Sequence, residues 1–134
     1  MKKAIILFVF SVVVSGLYAQ KNSVEVLYFK AKLGCCQSRA CNTLEADVKG
    51  VIDKNFKGKN VTFKQVAMAD EANKALVEKY NAKSQTVILV ATDKKKKVTS
   101  VDVSDIVHRY TKGGSKEVFE KELIDKINEV LRAK

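Results

Sequence analysis

Three cysteines fall within seven residues, in the run Cys35-Cys36-Gln37-Ser38-Arg39-Ala40-Cys41. A thiol becomes a nucleophile or a soft-metal ligand once it ionises. Ionisation is favoured near a helix N-terminus, where unpaired backbone N–H groups and the positive end of the helix dipole lie. From about Ala40 the apolar pattern turns helical, with Leu44, Val48, Val51 and Ile52 at i, i+4, i+7 and i+8. That spacing sets Cys41 at a helix start and leaves Cys35 and Cys36 on a preceding loop, Lys30 to Arg39, where Lys32 and Arg39 add positive charge.

Three kinds of chemistry fit. Cys36 and Cys41 could cycle between dithiol and disulfide with Cys35 as an auxiliary thiol, since a Cys-x-x-x-x-Cys loop can bring two Cα atoms within the ~7 Å a disulfide needs. The three thiolates could instead bind a soft ion such as Cu(I), Zn(II) or trivalent arsenic, although no histidine lies close in sequence to complete a tetrahedral site. Or the role is structural, with Cys41 a buried helix residue and an upstream thiol bridged or exposed. Other chemistry finds little support. His108 is the only histidine and reads as a surface or interface residue. Ser38 reads as an N-cap. No Ser-His-Asp arrangement, paired-carboxylate motif, flavin motif or nicotinamide motif stands out, so no cofactor is expected. Gly113-Gly114 reads as a hinge before the last helix, because no strand feeds it as a phosphate loop requires.

The elements that must position the cysteines are legible from periodicity. Ser23 to Phe29 reads as a strand that becomes more buried toward its end. Val61 to Ala67 reads as a second strand, with Val61, Phe63 and Gln65 on one face. Asp70 is a suitable N-cap for a helix to about Tyr80, with Ala72, Ala75, Leu76 and Tyr80 as its apolar stripe. Thr86 to Ala91 is a short, β-branched apolar run, the pattern of a central strand buried on both faces. Val98 to Val103 is a further strand joined to it by a hairpin at Asp93 to Lys97, so these two should be antiparallel. The lysine run in that turn reads as a solvated tip that protects an edge strand. Ser104 to Thr111 is either a helical turn or a loop. Ser115 caps a last helix, Lys116 to about Arg132, with Phe119, Leu123, Ile127 and Val130 or Leu131 inward. The order β-α-β-α-β-β-α is that of an α/β sandwich, a four-stranded mixed sheet with helices on both faces, in which the first three strands are free to pair in parallel through crossovers.

The ends and the composition bound the setting. Lys2 and Lys3, the apolar run Ala4 to Val14 and the small-residue region ending at Ala19 form the pattern of a secretory signal covering residues 1–19. The run is shorter than the roughly 20 apolar residues of a membrane span. Residues 20–134 then form one domain, exported to a periplasm or secreted, with no stable membrane anchor once the signal is removed. That domain is long enough for a hydrophobic core without disulfide staples. The chain carries a net charge of +10. Its lysines read as scattered over helices and one turn, without the basic-plus-aromatic interleaving of a single-strand reader, so nucleic acid is not an expected partner.

A strand, a cysteine-bearing segment, a helix opening at a cysteine and then β-α-β-β-α resembles the thioredoxin fold over essentially the whole domain. More narrowly, the chain resembles the exported thioredoxin-like proteins labelled as the nitrophenyl compound nitroreductase subunit, ArsF type. The resemblance lies in Val24 to Phe29 at the first strand, in Cys41 to Lys49 as the second motif cysteine with its helix, and in Asn73 to Tyr80 at the second helix. It implies thiol–disulfide exchange through Cys36, Cys41 and Cys35, with protein thiols or disulfides as partners. The alternative is a non-enzymatic module of the same fold that binds a protein partner or a soft metal or metalloid ion. Three departures bear on this. Ser38 stands where the first cysteine of a Cys-x-x-Cys motif would be. The chain has no proline, and Thr86 takes the place of the cis-proline that faces the motif. An uncharged residue, Tyr28, replaces the buried acid of the first strand.

Overall fold

The structure, a computed structural model, describes residues 21–32 and 35–133, with the backbone alone for residues 35–41. The expected signal segment lies outside the described residues.

Strand β1 (Ser23–Lys30) leads to helix α1 (Cys35–Asn55), strand β2 (Val61–Ala67), a 3-10 turn (Glu71–Asn73) and helix α2 (Lys74–Lys79). Strands β3 (Val87–Thr92) and β4 (Val98–Asp102) follow, then helices α3 (Ser104–Thr111) and α4 (Lys116–Arg132). The sheet order is β2-β1-β3-β4. β1 and β2 are parallel, from Val24 opposite Val61 to Lys30 opposite Ala67. β3 runs antiparallel to β1, with Ser23 opposite Thr92 and Tyr28 opposite Val87. β4 returns antiparallel to β3 through the hairpin.

The open choice of strand direction resolves on length. α1 has 21 residues and carries the chain back along the sheet, so β2 runs parallel to β1. α2 has six residues, a rise of about 9 Å, and cannot return the chain past a seven-residue strand spanning about 23 Å. β3 therefore starts at the end where β2 stops and runs the other way.

Alternation along β1 divides the core. Val24, Val26 and Tyr28 face α1, α3 and α4, together with Leu44, Val48, Ile106, Phe119, Leu123 and Ile127. Leu27 and Phe29 face the other way, with Val66, Ala82 and Ile88, under Leu76, Val77 and Tyr80. β3 is buried on both faces, as its composition suggests. Among the described residues, the buried core runs from Val24 to Val130.

Several local expectations are corrected. Asp70 precedes the 3-10 turn but makes no side-chain cap, and Ala72 and Ala75 are exposed while Val77 turns inward. Gln65 is exposed, and on β2 the deeply buried residue of the other face is Val66. Ser104 to Thr111 is a helix because Ile106 and Val107 bury, while the Ser104 hydroxyl accepts the Val87 N–H at 3.0 Å. Gly113 has φ +104°, and Gly113 and Gly114 donate to the Tyr110 and Arg109 carbonyls, a Schellman closure of α3. A Cβ on Gly114 would lie 2.8 Å from the Arg109 oxygen, which makes glycine obligatory there. α4 begins with the Ser115 hydroxyl accepting the Val118 N–H at 3.2 Å, as the sequence suggests.

Leu89 is fully buried on β3 against the larger cluster. Leu89→Ala should lower the unfolding free energy by about 2–5 kcal/mol, read as a fall in the urea midpoint at unchanged slope.

Candidate functional site

α1 begins at Cys35, earlier than the apolar periodicity indicates. The expected loop from Lys30 to Arg39 is therefore corrected: Cys35 and Cys36 lie in the first helical turn and Cys41 in the second. Ser38 is inside the helix and not at its N-cap. The helix can start early because Cys35 to Ala40 contains no glycine, proline or other strong helix breaker. The cysteine side chains lie outside the described residues. The backbone still sets a limit. Five helical residues rise about 7.5 Å along the axis, so Cys36 and Cys41 cannot approach to disulfide distance while this helix is intact.

The end of β1 fixes what surrounds this turn. Phe29 donates to the Thr86 carbonyl and accepts from the Gln85 N–H, both at 2.9 Å, and Lys30 accepts the Met68 N–H. The segment before β3 is thereby held beside the residues that lead into α1. Thr86 is buried, its N–H donating to Lys83 O and its hydroxyl accepting the Lys83 N–H at 3.0 Å. A proline could not make the first of these bonds. Among the described residues no peptide bond is cis, and Gln85, just before Thr86, has φ +67°. Tyr28 is fully buried on the face that α1 covers, its ring centroid 6.4 Å from that of Phe63.

Two polar ties hold α1 just past the cysteines. The Lys30 ammonium donates to Glu45 at 2.7 Å and also to Asn42, and Gln65 reaches the same Glu45 oxygen at 3.4 Å. Sequence reasoning points to Lys32 and Arg39 as the nearby cations, but Lys32 is exposed and the Arg39 side chain lies outside the described residues. The signal for Lys30 in the sequence is a charge ending the apolar run Val26 to Phe29, with Glu45 one turn beyond Cys41. Farther along, Asp47 accepts the Tyr110 hydroxyl at 3.0 Å and the Lys116 ammonium at 2.9 Å. Tyr110 stacks on Phe119 with centroids 4.4 Å apart. These contacts join α1 to α3 and α4. His108 is exposed.

A central β1, a helix opening at cysteines beyond it and a mixed sheet with helices on both faces define a thioredoxin-like fold. A solved thioredoxin from Thermus thermophilus superposes on 78% of this chain and 74% of its own, with a TM-score of 0.53 at 16% identity. The structure of a malarial protein matches 67% of this chain and 96% of its own, with a TM-score of 0.39 at 27% identity. No protein-family model matches the chain, and no curated protein does.

Hydrogen bonding to Asp47, aided by burial, holds the Tyr110 phenol above its ordinary value, and the same carboxylate raises Lys116. A raised tyrosine stabilises the fold fully below the unfolded value of about 10 and stops doing so as pH climbs through the higher folded value. Tyr110→Phe should therefore cost about 1 kcal/mol at pH 7 in urea titrations, and the gap to wild type should close above pH 10. In Asp47→Asn, absorbance titration should show one tyrosine ionising at lower pH than in wild type.

Proposed function

We propose that this is an exported thioredoxin-like protein that takes part in thiol–disulfide exchange through Cys36 and Cys41, with Cys35 as an auxiliary thiol. The observation that carries it is the concentration of all three cysteines in the first two turns of the helix that follows β1. For Cys35 and Cys36, in the first turn, that position offers a forming thiolate the unpaired N–H groups and the positive dipole of α1. One thiolate attacks a disulfide sulfur of a partner protein and expels the partner's other sulfur as a thiolate. The second cysteine then attacks the mixed disulfide, so two electrons pass to the partner, which leaves as a dithiol. Closing the Cys36–Cys41 bridge requires the first turn of α1 to unwind. The Lys30 contacts with Asn42 and Glu45 hold the helix from Asn42 onward, so the opening is confined to the cysteine turn.

Export is proposed from Lys2, Lys3 and the apolar run to Val14, with a cut after Ala19. The narrower kinship with the ArsF-type nitrophenyl compound nitroreductase subunit proteins rests on Val24 to Phe29, Cys41 to Lys49 and Asn73 to Tyr80. It is a proposal about ancestry and carries no nitroreductase activity.

Thiol labelling with mass readout in glutathione buffers tests the exchange. Wild type should show a reversible two-electron couple above about −300 mV, the limit for structural disulfides, and Cys36→Ser and Cys41→Ser should each lose it. In the oxidised protein the amides of Cys36 to Ala40 should exchange hydrogen faster than in the reduced form. Thiols inert across the buffer range would sink the proposal, as would stoichiometric Cu(I) or arsenite binding that needs all three cysteines and leaves no couple.

A further inference from the structure

The lysines read as scattered in the sequence are gathered by the topology. Because β1 and β2 run parallel and β3 antiparallel to both, β1 and β2 start, β3 ends and β4 starts at one end of the sheet. The cysteine turn lies at the opposite end, after β1. The end away from the cysteines receives Lys21 ahead of β1, Lys57 and Lys59 between α1 and β2, and the run Lys94 to Lys97 in the β3–β4 hairpin, all exposed. Lys21, Lys59 and Lys94 line a single shallow cleft. Two backbone-anchored bonds hold the chain entry there: Val24 N–H donates to Asn60 O at 2.8 Å, and the Asn22 amide to Leu131 O at 2.9 Å. Acids nearby are already engaged. Asp53 bridges Lys49 at 2.8 Å, and one Asp93 oxygen accepts the N–H groups of Lys95 and Lys97.

We infer that this lysine end is a docking surface for an anionic lipid bilayer, which it meets through headgroup phosphates. Three observations favour a bilayer over another polyanion. Seven of the charges are lysines, compact points suited to many headgroups, against a single arginine, Arg132 at the end of α4, whose planar fork is the group that reads single phosphates. The aromatic residue of this end, Phe56, is buried, so no platform for stacking bases is offered among the described residues there. In the chain this end lies next after the apolar run Ala4 to Val14, so on the export proposed above it is the part of the domain closest in sequence to the membrane-directed segment. Docked in this way, the domain holds its cysteine turn on the far side of the sheet, roughly 25 Å from the headgroups by the length of β1. The inference does not depend on the cysteines being reactive.

Co-sedimentation of the chain from Gln20 onward, which contains every core residue among those described, tests it without any contribution from the apolar run. Vesicles of phosphatidylcholine with phosphatidylglycerol should bind the protein, vesicles of phosphatidylcholine alone should not, and binding should fall steeply between low and physiological salt. Replacing Lys57, Lys59, Lys94 and Lys95 by Glu should weaken binding by at least about tenfold. A control with Lys74, Lys83, Lys112 and Lys121 replaced by Glu changes net charge equally and should weaken it no more than about threefold. Circular dichroism should show both variants folded. Equal losses in the two variants, no binding to the anionic vesicles, or tighter retention by single-stranded DNA than by those vesicles would overturn the inference.

Discussion

Strand β1 is enclosed on four sides. It has a hydrogen-bonded strand at each edge and a hydrophobic cluster on each face. Val24, Val26 and Tyr28 go to one cluster, Leu27 and Phe29 to the other, each worth about 1.5–3 kcal/mol when fully withdrawn from water. A slip of one residue would exchange the two sets and drive the Tyr28 ring into the thinner layer under α2, so register is strongly specified. The rest of the molecule follows from that. β2 and β3 take their positions from β1, α1 leaves from its end, and the segment before β3 is pinned to Phe29.

The polar contacts at that end contribute orientation more than stability. Lys30–Glu45 is partly exposed, and Lys116–Asp47 has one well-exposed member, so each adds at most about 1 kcal/mol. Their effect is geometric. Lys30 fixes α1 against the strand it follows, and Asp47 fixes it against α3 and α4 through Tyr110 and Lys116. Between them they set the direction in which the cysteine turn projects, while the apolar stripe of Leu44, Val48, Val51 and Ile52 supplies most of the cohesion.

Where one periodic face decides the structure, the sequence could be read directly. Phe119, Leu123, Ile127 and Val130 gave α4 its inner face, and the β-branched run at Val87 to Ala91 announced an interior strand. The thioredoxin-like sandwich follows from the order of such elements. The start of α1 was not legible, because a first turn of Cys35, Cys36, Gln37 and Ser38 has no apolar stripe to mark it. The direction of β3 was hidden for a different reason: it depends on how far α2 reaches, a boundary property that six residues carry weakly. Asp70 has the right type for a cap but lies ahead of a 3-10 turn where its side chain makes no such bond. The gathering of the lysines is a property of topology and has no signature in any one segment.

The two faces of the sheet are covered unequally. Three helices close one of them, while the other is roofed by the six-residue α2 and the segment around Ala82, with no residue of α2 fully buried. Cooperative units of a protein open in order of the apolar contact that holds them. α2 is thus the layer that should detach first in partial opening, well below the free energy of global unfolding. What it uncovers includes Phe29, the residue that grips the Gln85–Thr86 segment next to the cysteine turn. The thin roof thus makes a breathing motion of the whole domain into a local event at its chemically richest end.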